Sequence, residues 1–285
     1  MPEVEKQLTL VVSCISPNHI VQVSDRRLTW ITGADAGRVA DDNSNKAVVV
    51  CGCLVLAYTG VAQIRGLKTD EWALRVASEV TPYNPQRVCE ALAFRATEDF
   101  RNIRLSKSDR RHAFLISGWA KLNDPNAPLT PFVSAISNAL NNEWHWLPEA
   151  ENAFQIRTVP LAQRPYLIAA VGQPLQASAL NRLRRGVRKY VRRERGAEAY
   201  IQMVAAAIRE TAVDNDLVGE NLMAISLPLN ALESGGGIAI PLTFPIQSGP
   251  AVAIYLPISQ GESIRYAPNY TCNGMSLSRI SIRPG

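Results

Sequence analysis

The sequence has little histidine and no long apolar run. Its three histidines are scattered, which leaves no histidine tract to ligate a metal. No stretch approaches the ~20 consecutive apolar residues of a membrane-spanning helix. The opening MPEVEKQLTLVV carries two glutamates and no long apolar run behind a basic start, so it does not read as a secretory signal. Cysteine is sparse and odd in number: Cys14, Cys51, Cys53, Cys89 and Cys272. An odd count in a chain of 285 residues argues against a disulfide framework, and Cys51-Gly-Cys53 has the wrong spacing for a zinc knuckle. These absences predict a cytoplasmic protein with no metal, no cofactor and no membrane partner.

What is present is ordinary for a folded chain. With 47% hydrophobic and 19% charged residues, a sizeable core can form and wholesale disorder is not expected. The net charge of +5 is a mild excess. Much of it lies in one segment, RLRRGVRKYVRRER at 182–195.

Pattern along the chain predicts its elements. LTLVVSCI (8–15) and IVQVSD (20–25) read as strands joined through the turn SPNH, a hairpin. Residues 32–45 are polar and contain glycine, so a loop is expected. KAVVVCG and CLVLAYTG give two more strands, ending at Gly60. From there Ile64, Leu67, Trp72, Leu74, Val76 and Val80 recur on one side, which predicts a helix. A second helix starts near Pro85, where a helix tolerates proline. Strands follow at 112–120, 130–137 and 166–171, helices at 174–193 and 197–212, and a strand at 221–229. Runs of strands alternating with pairs of helices predict an α+β fold. Antiparallel sheets with helix pairs outside them, a four-layer αββα sandwich, account for the order. Residues 1–230 would form this domain. Residues 231–285, rich in Gly, Pro and Ser, read as a C-terminal β or extended appendage.

The start, TLVVSCISPNHIVQVSDRRLT, resembles a proteasome β-type subunit or its bacterial two-component relative, within the N-terminal-nucleophile hydrolases. The family's Asp-x-Arg-x-Thr ending of the second strand falls on Asp25, Arg27 and Thr29. An ungapped count back from Asp25 places the nucleophile at Thr9; one extra turn residue would move it to Leu8. NKAVVV is similar to the strand carrying the family's lysine, giving Lys46. LAYTGVAQ is similar to the turn that supplies a backbone oxyanion donor, giving Gly60. Asp214 matches a further family aspartate. Two supporting family serines are replaced, at Gln173 and Leu217, and Leu8 stands where the family usually has glycine.

The resemblance implies a threonine-type peptidase or amidohydrolase. Residues 1–8 would be removed by self-processing, and the freed α-amino group of Thr9 would be its general base. Lys46, paired with Asp25, would favour the neutral amine and stabilise developing negative charge. Gly60 N–H would hold the oxyanion, and Arg27 and Asp214 would support the site. A peptide or amide substrate and a ring-like homo-oligomer are the partners implied. A non-catalytic relative that keeps its N-terminal extension is the alternative. There Asp25 and Lys46 form a structural ion pair, Thr9 is an ordinary β-branched strand residue, and Gly60 only permits a turn.

Some residues have a plainer reading. Cys14, inside a strand, reads as core. His19 lies in a turn, and His112 and His145 have no motif partners. In the basic segment Leu183, Val187, Tyr190 and Val191 recur at helical spacing, leaving the arginines on the other face. That face reads as a solvated surface, with an anion-binding or subunit-contact role as the other option. No nucleic-acid module is recognisable, so an anion- or nucleic-acid-binding accessory acting through this helix is the third and weakest reading.

Overall fold

In a computed structural model, residues 5–7, 9–30, 35–81, 83–121, 128–162, 164–193, 197–229, 252–256, 265–266, 269–272, 275–277 and 281–282 are described. The first strands are β1 (Glu5–Gln7), β2 (Leu10–Ile15), β3 (His19–Asp25), β4 (Leu28–Trp30), β5 (Val39–Asp41), β6 (Ala47–Val50) and β7 (Leu54–Val61). A short hairpin, β8 (Gln63–Ile64) and β9 (Leu67–Lys68), leads into helices α1 (Thr69–Ser78) and α2 (Pro85–Phe100). Strands β10 (Ala113–Ala120), β11 (Thr130–Ser137), β12 (Gln155–Pro160) and β13 (Leu167–Gly172) precede α3 (Ala177–Arg192) and α4 (Ala197–Val213). Then come β14 (Leu222–Pro228), β15 (Val252–Leu256), β16 (Arg265–Tyr266), β17 (Asn269–Cys272), β18 (Met275–Leu277) and β19 (Ser281–Ile282).

This is an α+β chain with four helices among the described residues and mostly antiparallel sheets. The larger sheet runs β12-β11-β10-β7-β1-β4-β5, with β6 also on β7 and β17 parallel to β6. The smaller runs β13-β2-β3-β14-β15. Strands β15 and β17, from the stretch expected as an appendage, are thus hydrogen-bonded into the two sheets.

Side-chain alternation divides the core. On β2, Leu10, Val12 and Cys14 pack with Leu183 and Val187 of α3 and Val204 and Ile208 of α4. Its other face, Val11 and Ile15, meets Val55 and Ala57 of β7 and Leu115 of β10. Leu54, Leu56 and Tyr58 of β7 pack with Trp72 of α1 and Leu92 of α2. Both faces of these strands are buried, so they read in sequence as continuous apolar runs rather than alternating ones. A polar cluster lies inside: Gln22 Nε2 donates to Ser13 Oγ at 3.0 Å and to Leu115 O at 3.1 Å, and Ser117 Oγ donates to Ser13 Oγ at 2.8 Å.

Several expectations are corrected. The helix expected just after Gly60 starts only at Thr69. Ile64 and Leu67 instead flank the turn Arg65-Gly66, both at positive φ, as in a type I′ hairpin. Ile64 is still fully buried, so its apolar spacing reflected burial and not helical period. The polar stretch 32–45 contains β5, held by pairing with β4. Strand β12 went unread because it is a half-exposed edge with no apolar run. The α2 boundary is as its sequence suggests: Asn84 Oδ1 accepts from Arg87 N at 3.1 Å and Pro85 follows at the first helical position.

The burial pattern sets an expected stability contrast. Leu56→Ala removes a fully buried side chain and should cost about 2–5 kcal/mol in urea unfolding. Phe94→Ala, at a residue 65% exposed, should stay within about 0.5 kcal/mol of the parent.

Candidate active site

The chain passes between the two sheets several times, first between β1 and β2. Strand β1 belongs to the larger sheet and β2 to the smaller, so Thr9 lies at this first crossing. Its carbonyl is fixed from two directions. Gln173 N donates to Thr9 O at 3.0 Å, and Thr59 Oγ1 at 3.3 Å. The crossing needs Gly172, whose φ is +100° and where a Cβ would stand 1.6 Å from Thr9 O.

Thr9, Asp25 and Lys46 meet there, all fully buried. Lys46, just before β6, points its Nζ at Thr9 Oγ1 at 2.5 Å and also donates to Arg27 O at 2.6 Å. Asp25 Oδ1 is 3.6 Å from the same Nζ. The carboxylate also accepts from three backbone N–H groups: Leu10 at 2.9 Å, Gly219 at 2.9 Å and Arg27 at 3.3 Å. Residue 9, and not Leu8, therefore contributes the hydroxyl facing Lys46. Leu8 lies outside the described residues.

Burial moves both partners toward neutrality. The Lys46 ammonium falls from its ordinary 10.5 to about 8 because it is desolvated, with Asp25 opposing the drop. Desolvation also pushes the Asp25 carboxyl up, against the pull of Lys46 and of the three N–H donors. A lysine near 8 is partly neutral at physiological pH. At hydrogen-bond distance from a hydroxyl, it can take that hydroxyl's proton.

Gly60 is opposite Gln7 in the β1–β7 pairing. Its φ is +115°, and a Cβ there would be 2.4 Å from Arg111 O. Val61 N, the next amide, donates to His112 Nδ1 at 3.0 Å. His112 is fully buried among Tyr58, Phe100, Phe114 and Phe154. Burial lowers its pKa to about 3, so the ring is neutral and its proton is assigned to Nε2. His112 thus fixes the backbone beside Gly60. The sequence reading missed it because the link is a side chain accepting from a distant backbone N–H, which leaves no spacing motif.

The two supporting residues are placed differently. Arg27 turns its guanidinium away from Thr9, to Asp42 (Nε to Oδ1 2.7 Å) and to Asp216 O (2.7 Å); only its carbonyl reaches Lys46. Asp214 stands at the surface and bonds Gln176. The same loop serves the site through other groups. Asn215 Nδ2 donates to Gln173 Oε1 at 3.2 Å, and Gly219 N to Asp25. Arg26 is buried, with its Nε donating to Ser44 O at 3.0 Å.

No family model and no curated protein matches the chain. The chemical reading therefore rests on these residues and their geometry. Among the described residues no group of three or more His, Cys, Asp or Glu side chains could hold a metal ion, and no helix is long and apolar enough to cross a membrane.

Two outcomes follow for the buried pair. Asp25→Asn leaves the Lys46 charge without its counter-ion and should cost about 3–5 kcal/mol by denaturant unfolding. Adding Lys46→Met should recover at least about 1 kcal/mol of that loss. The pH dependence has a definite sign. Well below pH 8 Lys46 is protonated folded and unfolded, and the burial penalty is fully present. Between 8 and 10.5 the unfolded chain binds the extra proton at Lys46, so the Lys46 contribution to stability rises with pH, against the opposite contributions of the buried Cys14 and Cys89 thiols. The parent should therefore gain stability relative to the Asp25→Asn/Lys46→Met protein between unfolding at pH 8 and at pH 10.

Proposed function

We propose that the chain is an N-terminal-nucleophile hydrolase of the proteasome β-subunit type, a threonine-type peptidase or amidohydrolase with Thr9 as nucleophile. The observation that carries this reading is the contact of Lys46 Nζ with Thr9 Oγ1 at 2.5 Å, inside a fully buried triad with Asp25. The distribution of the apolar clusters, with helices outside each of two facing sheets, supports the four-layer αββα sandwich of that family.

Activation would be cleavage of the Leu8–Thr9 bond. Lys46, when neutral, accepts the hydroxyl proton as Oγ1 attacks the Leu8 carbonyl carbon. The C–N bond breaks, the Thr9 nitrogen takes a proton, and Leu8 is left esterified to Oγ1. Water hydrolyses this ester, releasing the preceding segment as a carboxylate and freeing both the hydroxyl and the α-amine. The same groups then act on a peptide or amide substrate. Gly60 N–H is the proposed oxyanion donor, worth roughly 3 kcal/mol.

Strand β1 supports a form for the precursor. It pairs with Thr29 and Trp30 of β4 on one side and with Gly60 and Val61 of β7 on the other. Its departure would open a slot one strand wide, edged by unpaired backbone groups, which suits an extended peptide. A second reading is that of a non-catalytic relative that keeps this extension for assembly or binding. It is favoured by the same strand, since β1 is hydrogen-bonded on both edges and Thr9 is inaccessible. A cytoplasmic homo-oligomer fits either reading.

Intact mass separates them. Incubated full-length chain should yield a product beginning at Thr9, and Thr9→Ala should stay whole. Because the neutral lysine is the base, the cleavage rate should rise about tenfold per pH unit and level off above about 8. A chain that remains whole from pH 6 to 9, with no hydrolysis that Thr9→Ala abolishes, would establish the second reading instead.

A further inference from the structure

The basic run at 182–195 takes no part in the proposed chemistry, and the fold gives it a definite shape. Its described residues run from Arg182 to Arg193. Helix α3, ASALNRLRRGVRKYVR, has no acidic residue. It buries Ala179, Leu183 and Val187 against the smaller sheet and α4. Arg182 is neutralised by Glu210 of α4. Six other cations, Arg184, Arg185, Arg188, Lys189, Arg192 and Arg193, are exposed, and no carboxylate pairs with them among the described residues. They form two rows at i, i+4, i+8 spacing, and Arg185, Arg188, Lys189, Arg192 and Arg193 line one open groove.

We propose that this face binds the phosphate backbone of a nucleic-acid duplex, without reading its sequence. The nine-residue step from Arg184 to Arg193 covers about 13.5 Å of helix axis. A duplex carries about one phosphate charge per 1.7 Å, or about eight over that length, against six cations here. The chemistry of the face selects among anionic partners. A protein partner is held mainly by buried aromatic and apolar anchors, and this face offers none, since Tyr190 is half-buried against Tyr200. A membrane-surface helix needs a free apolar side, and here that side is the core stripe. A second copy meeting this face with its own α3 would be repelled by the same six cations. Backbone phosphates need only cations. The inference is independent of the proposed hydrolase activity.

The test is fluorescence anisotropy of a labelled mixed-sequence DNA duplex with the full chain. Six phosphate contacts predict a loss of affinity of about 10³-fold between about 50 and 200 mM salt. In R184Q/R188Q/R192Q three contacts remain, and the loss should shrink to about 40-fold, with a thermal midpoint near that of the parent. R185Q/K189Q/R193Q serves as the second variant and should behave alike. Any of three results would overturn the proposal. The duplex fails to bind at about 50 mM salt. Both variants keep the parent's salt slope. Polyglutamate or anionic vesicles displace the duplex as well as unlabelled duplex does at equal charge.

Discussion

The Lys46 ammonium, buried to the last atom, is the constraint around which the described structure is organised. An unpaired ammonium in such a place would be prohibitive, and its partners must come from separate parts of the chain. Asp25 ends one strand, Thr9 precedes another, and Arg27 supplies a carbonyl. Asp25 needs support in turn and takes it from the amides of Leu10, Arg27 and Gly219. The loop after α4 is thereby tied to the start of β2. The ion pair joins the two sheets where the chain first crosses between them.

Close backbone approach is the second organising feature. Gly172 admits Thr9 O, and Gly60 admits the Arg111–His112 backbone. At each position a Cβ would collide with the facing peptide group. His112 extends this arrangement by accepting from Val61 inside an aromatic enclosure that keeps it neutral.

Strand β1 and helix α3 give the molecule two faces of different character. The first closes the site with main-chain pairing on both edges. The second lies on the outside of the smaller sheet, its apolar stripe consumed by the core and its cations left in water. Hydrogen bonding governs one and long-range electrostatics the other, so salt and pH act on them separately.

Much of the strand and helix order is legible in the sequence, because fully buried strands leave continuous apolar runs and α2 is marked by Asn84 and Pro85. Thr9, Asp25 and Lys46, which the fold brings together, stand out in the sequence through their order and spacing. The sequence could not reveal β1, β4, β5 or the start of α1, since short polar strands form only when a neighbour supplies their hydrogen-bond partners. It placed Asp214 and the Arg27 side chain near the chemistry, but their nearest partners in space, Gln176 and Asp42, took them elsewhere. It gave no reason to notice His112, Gly219 or Asn215, whose contributions pass through atoms 51, 194 and 42 residues away. The sequence by itself determined which residue types the site has at its disposal and which segments must be buried. Only the tertiary structure decided which of them meet, because desolvation and hydrogen-bond geometry depend on distance in space and not along the chain.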